Sequence, residues 1–332
     1  MLNTRIRSIG SYLPKRIVTN KDLEAMMNTT DEWIQQRSGI KERRWSNTEE
    51  TTLYMATQAS QQALEKAGLG IDDIDAILFT SLLSDYQFPG SGCLLQNSLG
   101  GTRTIPAMDI RNACTGFLYA LSVANAWIRS GTYNKVLICG SELHSTSVQQ
   151  NPSGRDTGVL FGDAATAVIL EASEKDASSI VDLTLASQGQ YADALSLKKP
   201  SPNDHPRVPE NFPNTAEWFP RMDGRLVFKH AVERMIESVT NLVKKNDLSI
   251  SDIDFVIAHQ ANKRIIQAVL QNLNIPDEKT HYTLDRFGNT TSCTIPLTIN
   301  EAVEQGKIKR GDLVCCTAFG AGFTWGTTLI RY

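Results

Sequence analysis

Three residues of different type, Cys114, His259 and Asn289, stand where the chain passes from one regular pattern to another, and each could do chemistry there. The stretch "DIRNACTGFLYAL" (109–121) places a thiol between a strand-like run and a helix-like run. A packing cysteine belongs inside either element. A nucleophile gains from the helix start, where unpaired N–H groups and the dipole favour thiolate and lower its pKa. In "FVIAHQANKRII", His259 closes an apolar strand before a helix beginning near Lys263, and strand C-terminal ends are where α/β folds place reactive groups. A core histidine bonded to a backbone carbonyl is the competing assignment. His144, His205, His230 and His281 lie in polar or amphipathic surroundings that suit solvated or capping roles.

Asn289, in "DRFGNTTSCTIPLTINEAV", follows a glycine turn and precedes a helix. It suits a helix N-cap. It equally suits a neutral amide donor to a developing enolate or thioester oxygen, one that does not compete for the proton on histidine. Gly320, Gly322 and Gly326 in "AFGAGFTWGTTLIRY" are followed by no βαβ unit, so a dinucleotide loop is a poor reading. A backbone loop approaching a site closely fits better, its amides joining that of Cys114 in an oxyanion hole.

The elements that must position these groups alternate. Short apolar strands ("DAILFTS", "KVLICGSE", "AATAVILEA", "DFVIAHQ", "DLVCCTAF", "TTLIRY") are separated by amphipathic helical patterns such as "TTLYMATQASQQALEKAG" and "VFKHAVERMIESVTNLVKKN". That alternation predicts an α/β architecture with buried sheets. The chain also repeats itself. "GLGIDDIDAILFTS" (68–81) resembles "DLSISDIDFVIAHQ" (247–260), and "SGTYNKVLICG" (130–140) resembles "QGKIKRGDLVCCTAFG" (305–320). The offset is 179 between Ile71 and Ile250 and 175 between Gly131 and Gly306. Two copies of one α/β unit, 1–172 and 173–332, are predicted to pack face to face. The offset of 175 carries Cys114 onto Asn289, which would bring both from equivalent helix starts to one shared site.

Composition narrows the classes of function. With 332 residues, 41% hydrophobic and 21% charged, the chain reads as an ordinary globular protein. A net charge of −3 gives no general drive toward nucleic acid or anionic membranes. The N-terminal stretch lacks a signal-peptide apolar core and no run reaches membrane-spanning length, so the expected compartment is the cytoplasm. The six cysteines, Cys93, Cys114, Cys139, Cys293, Cys315 and Cys316, form no C-x-x-C pair, and neither a zinc site nor a disulfide framework is indicated.

"NACTGFLYAL", "HQANKRII", "FGNTTSCTIP" and "FGAGFTWGTTLIRY", in this order and spacing, resemble β-ketoacyl-acyl-carrier-protein synthase III of the thiolase superfamily, as do "IRSIGSYLPKRIVTNKDLE" and "TTDEWIQQRSGIKERRW" near the start. The resemblance implies an α/β thiolase-like fold, two pseudo-symmetric halves in a five-layered αβαβα arrangement, forming a homodimer. It implies that Cys114 is acylated by acyl-CoA and that His259 and Asn289 assist decarboxylation of malonyl-acyl carrier protein, with no metal or redox cofactor. The oxyanion amides would be those of Cys114 and Ala321. Coenzyme A contacts fall on Trp33, Arg37, Arg155 and Asn262, where a ring among cations suits an adenine nucleotide with phosphates. Phe88 matches a phenylalanine reaching the partner subunit's acyl pocket, and Lys229 and Arg264 match basic positions facing the acidic carrier protein. An alternative within the same fold is a specialised-pathway enzyme with a different acyl group or acceptor.

Three departures from the family pattern stand out. Ala321 replaces the middle glycine of "FGGG", a strained choice if that position needs a positive φ. Arg111 and Asn112 replace small residues before the cysteine and are expected to alter the pocket floor. The proline-rich segment 196–224, with Phe212, Trp218 and Phe219, reads either as a surface loop or as a lid over the acyl tunnel.

Overall fold

A computed structural model describes residues 2–173, 178–210 and 215–332; Phe212 lies outside the described residues. Nine strands build two main sheets. The first contains β1 (Asn3–Tyr12), β2 (Ala76–Thr80), β3 (Ala107–Ile110), β4 (Lys135–Glu142) and β5 (Ala164–Ser173), in the order β1-β5-β4-β2-β3. The second contains β6 (Ser179–Ser187), β7 (Phe255–Ala258), β8 (Leu313–Gly320) and β9 (Thr324–Arg331), in the order β7-β8-β9-β6. The parallel pairs β2–β4 and β7–β8 hold corresponding places in the two sheets. Strands β2, β7 and β8 are buried at every position, which is why they read as unbroken apolar runs.

Six helices complete the layers: α1 (Thr52–Ala67), α2 (Ser91–Ser98), α3 (Gly116–Arg129), α4 (Gly224–Lys245), α5 (Lys263–Asn272) and α6 (Thr294–Glu304). Helices α3 and α6 lie between the sheets, where Phe117, Leu121, Ile295 and Ile299 share one core with Ile138, Val168, Ile257 and Val314. Met55, Ala59 and Ala63 of α1 cover the outer face of the first sheet, against Phe79, Leu137 and Ile169. Met235, Val239, Ile266 and Val269 of α4 and α5 cover the second, against Val256 and Cys315. The result is the expected αβαβα stack. No helix among the described residues is long and apolar enough to cross a membrane.

The internal repeat is visible in backbone detail, and it corrects the predicted pairing of Cys114. Ala113 and Thr291 both have φ of 47°, both open a one-turn 3₁₀ helix, and helices α3 and α6 follow directly. The offset at the helix starts is therefore 178, so the structural mate of Cys114 is Ser292 and not Asn289. Helix α6 has 11 residues against 14 in α3, so the offset slides to 175 at the closing glycine turns, Gly131 and Gly306. Reading it from those glycines moved the match by three residues. Asn289 instead lies just upstream of the turn that repeats the cysteine turn.

Helix α1 is set close on β1 because Gly10 has no side chain. A Cβ there would stand 2.2 Å from the Ala59 carbonyl oxygen and 2.5 Å from the Ala63 nitrogen. Gly10→Ala should therefore destabilise the fold by about 1–3 kcal/mol through overpacking, read as a lowered urea midpoint. An unchanged midpoint would mean that this contact does not fix the outer layer.

Candidate active site

One cavity of about 540 Å³ takes in Cys114, His259 and Asn289, which are buried, and Arg37, Arg225 and Arg264, which are exposed. The cavity thus has a dry end and an open end.

At the dry end the Cys114 turn is held by Thr115, whose hydroxyl donates to the Asn112 carbonyl at 2.9 Å. Gly320, at the end of β8, lets that strand close on the thiol: a Cβ there would be 2.6 Å from Cys114 Cβ. The backbone N–H groups of Cys114 and Ala321 both bond to the sulfur and favour its thiolate. They do not prevail. Burial, followed by the charge of Glu142, pushes the thiol up to about 12, which overturns the expectation of a lowered pKa. Ala321 is unstrained, since the positive φ in this loop belongs to Gly322, at 133°. Arg111 and Asn112 do not line the cavity, so the predicted change to its floor is not found.

His259 follows β7 and is anchored through its backbone N–H, which donates to the Thr317 carbonyl of β8 at 2.9 Å. Its Nδ1 lies 2.7 Å from Thr294 Oγ1, and that hydroxyl also reaches the Thr291 carbonyl at 3.0 Å. A carbonyl can only accept, so both bonds are made together when the hydroxyl donates to it and accepts from Nδ1–H. The Nε2 atom, without a partner among the described residues, is then the basic nitrogen. Burial brings the imidazole down to about 3 and keeps it neutral.

The Asn289 backbone is clamped against the loop carrying Phe161: its N–H donates to the Leu160 carbonyl at 2.8 Å, and its carbonyl accepts from Gly162 N–H at 3.1 Å. The side-chain Oδ1 accepts from Thr291 N–H at 2.9 Å. Asn289 is thus a cap of the following turn as well as a cavity residue, and its Nδ2 stays available as a donor.

At the open end, Trp33 lies beneath Arg155 (4.4 Å from guanidinium carbon to ring centroid) and near Arg37 (5.7 Å). Asn262 caps α5, taking Arg264 N–H at 2.9 Å, and donates to the Arg37 carbonyl at 2.9 Å. Arg264 sits over Phe228 (5.7 Å), and Lys229 is exposed beside it on α4. Phe88 is 83% exposed and forms no part of this cavity; it precedes α2, near the unpaired edge strand β3.

Several cavity and supporting residues carry no signal in the sequence. Arg225, Leu195 and Met222 line the cavity, the last two because Leu195–Ser196 pairs with Arg221–Met222 to make the neck of the proline-rich segment. Trp218 and Phe219 do not line it; Phe219 faces a separate cleft with Lys198 and Lys199. The lid reading of those two aromatics therefore fails, because the hairpin neck presents its own residues instead. Glu142, fully buried at the end of β4, accepts from Ser292 Oγ at 2.6 Å and from Leu82 N–H at 3.1 Å, and burial pushes it up to about 7. His144 is buried rather than solvated, and burial brings it down to about 4. Among the described residues no cluster of His, Cys, Asp and Glu could hold a metal ion.

A thiol held by two backbone amides, with a neutral imidazole and an amide donor in the same cavity of a doubled five-layer fold, marks a condensing acyltransferase of the thiolase type. Two family profiles match, "3-Oxoacyl-[acyl-carrier-protein (ACP)] synthase III" over residues 108–189 and its C-terminal counterpart over 243–332. Beta-ketoacyl-[acyl-carrier-protein] synthase III 1 of Vibrio parahaemolyticus is 41% identical, covering 99% of each chain. The solved 3-oxoacyl-[acyl-carrier-protein] synthase III of Aquifex aeolicus is 40% identical with a TM-score of 0.90, covering 99% of this chain and all of that one. A priming β-ketosynthase of a polyketide pathway is 28% identical with a TM-score of 0.89, covering 99% of this chain and 96% of that one. The chain belongs to the β-ketoacyl-[acyl-carrier-protein] synthase III family.

Exposure and burial together set a labelling order. Cys93 is exposed, Cys114 is reached only through the cavity, and Cys139, Cys293, Cys315 and Cys316 are buried. Iodoacetamide should modify Cys93 first and Cys114 more slowly, the other four only on unfolding. Labelling of Cys114 should climb from about pH 7 to about pH 9, since its thiolate is the minor form throughout, and prior acylation should block it. Peptide mass spectrometry checks both points; a plateau already at neutral pH would show that the imidazole holds the thiol proton at rest.

Proposed function

We propose that this chain starts fatty-acid chains: an acyl group passes from acyl-CoA to Cys114, and decarboxylative Claisen condensation with malonyl-acyl carrier protein gives a 3-oxoacyl-carrier protein. The observation that carries the reading is the convergence of Cys114, His259 and Asn289 at the buried end of a cavity whose open end bears Trp33, Arg37 and Asn262.

His259 Nε2 takes the thiol proton as Sγ attacks the thioester carbon. The oxyanion meets the N–H groups of Cys114 and Ala321, and coenzyme A leaves with the proton from His259. The malonyl thioester then loses CO2, and the electron pair of the broken bond becomes an enolate whose oxygen accepts from Asn289 Nδ2. Between the half-reactions His259 can lose its Nδ1 proton to solvent and take one from solvent on Nε2, with Thr294's hydroxyl turned to donate to Nδ1; it then presents Nε2–H to the same oxygen. The enolate carbon attacks the acyl-enzyme carbonyl, Cys114 departs as thiolate, and it regains a proton through His259. No step calls for a metal or redox group. At the mouth, the adenine of coenzyme A stacks on Trp33 with Arg37 and Arg155 beside its phosphates.

The halves 1–172 and 173–332 act as one unit, and the enzyme works as a cytoplasmic homodimer. Supporting the dimer are the sheet edge at β3, unpaired among the described residues, and the exposed Phe88, to which we assign the partner's acyl pocket. The contribution of Leu195 and Met222 to the cavity wall favours a second reading, a specialised-pathway enzyme with another acyl group or acceptor. A panel of acyl-CoAs offered with malonyl-carrier protein and malonyl-CoA separately decides between the two.

Asn289→Ala should keep acyl transfer to Cys114, seen as a mass adduct, better than it keeps malonyl decarboxylation, where loss of a donor costs about 10²–10³ in rate. Wild-type decarboxylation by Asn289→Ala would reduce that residue to a cap. Lys229→Glu, outside the cavity, should raise KM for the carrier-protein substrate while leaving acylation by acyl-CoA nearly unchanged, the difference shrinking at high salt; Arg264→Glu, at the cavity mouth, should raise that KM more than it slows acylation. An equal defect of Lys229→Glu toward free malonyl-CoA would assign that residue to the fold instead.

A further inference from the structure

An amide side chain has a donor end and an acceptor end, and which end faces a substrate depends on what holds the other. For Asn289 the holder is Thr291 N–H, at 2.9 Å from Oδ1. Thr291 itself has φ of 47°, an unfavourable conformation for a β-branched residue that its surroundings must enforce. Two buried groups from the other half of the molecule do so. His144 Nε2 lies 2.5 Å from Thr291 Oγ1, and Glu142 accepts from Ser292 Oγ at 2.6 Å. His144 is itself fixed at both ends. Its backbone N–H donates to Asp163 Oδ1 at 2.7 Å, and its ring lies 4.9 Å from that of Phe161, whose backbone bridges to Asn289. Neither His144 nor Glu142 lines the cavity, so neither touches substrate.

We infer that His144 is a positioning residue: its bond to the Thr291 hydroxyl holds the strained turn that presents Asn289 to the substrate as a hydrogen-bond donor. This rests on the reading of Asn289 as the enolate donor. The Thr291 hydroxyl meets His144 and also the Glu142 carboxyl of the opposite half, so losing the His144 bond from either side should loosen the turn, and losing the hydroxyl removes both contacts. The amide would lose its fixed orientation while the thiol, the cavity mouth and the backbone anchor of His259 on the Thr317 carbonyl stay in place.

The test is a double-variant cycle. Thr291→Val keeps the β-branched shape without the hydroxyl, and His144→Phe keeps a ring against Phe161 without the nitrogen. Each should lower kcat for malonyl decarboxylation by about 10- to 10²-fold, as misplacement of a reacting group does. KM for the malonyl thioester and the rate of Cys114 acylation should stay within about twofold. The double variant should be no worse than Thr291→Val alone, since that variant already removes the bond that His144→Phe removes. His144→Gln, which can restore a polar atom near the Nε2 position, should recover most of the activity. Losses that multiply in the double variant, or that strike acylation and decarboxylation alike, would overturn the inference. If His144→Phe does not fold, Thr291→Val and His144→Gln carry the same comparison. Asn289→Ala is measured alongside. Its failure to impair decarboxylation would remove the underlying reading, whereas its impairment with Thr291→Val at the wild-type rate would remove only this inference.

Discussion

The contact between two helix starts governs this site. Gly116, the first residue of α3, comes so close to the turn before α6 that a Cβ on it would lie 3.3 Å from Ser292 Cβ and 3.3 Å from Thr80 Cβ. A glycine eases that approach, which lets the two turns abut so that Cys114, on one, and Asn289, leading into the other, reach the same cavity. The layers serve that contact. Both helices are sandwiched between the sheets, so neither can slide without breaking the shared core of Phe117, Leu121, Ile295 and Ile299. His259 enters from a third direction, at the end of β7, and is tied to the same turn through Thr294 and the Thr291 carbonyl.

Dryness then decides the resting charges. A helix start favours thiolate, but desolvation of Cys114 outweighs its two amide bonds, and desolvation of His259 leaves the ring neutral. The resting pair is thiol and imidazole, and in the proposed mechanism ion separation waits until a thioester carbonyl arrives to take the negative charge at the amides. Glu142 adds to this. Its carboxylate, pushed up to about 7 by burial, opposes a negative sulfur when ionised, so the thiol is held in reserve from two sides.

Much of this was legible in the chain. Parallel strands buried on both faces must be apolar throughout, so the alternation of elements and the internal repeat could be read directly, and the Cys, His and Asn motifs carried the family. What escaped depends on contacts between distant segments. His144 looks like a surface histidine because "SELHSTS" is locally polar; only the fold brings Thr291 and Phe161 onto it. The aromatic residues Trp218 and Phe219 suggested a lid, yet hydrophobicity along a segment does not say which way the segment faces. The thiol pKa was misjudged for a related reason, since a sequence displays the helix that lowers it and hides the burial that raises it.

The repeat also shows how one backbone device serves two purposes. Ala113 and Thr291 adopt the same φ, and each hands the chain to a helix through one 3₁₀ turn. In the first copy the next residue is Cys114, facing the amides of the Ala321 loop and open to the cavity. In the second it is Ser292, whose hydroxyl is spent on Glu142 and never reaches substrate. A hydroxyl suits the second place because it can donate to a carboxyl at 2.6 Å, which a thiol, a weaker and larger donor, does poorly. A thiol suits the first because, among the described residues, no carboxyl is hydrogen-bonded to it, which leaves the sulfur free for the attack proposed above. The two turns share a geometry, and the partners that meet them make one reactive and the other a support.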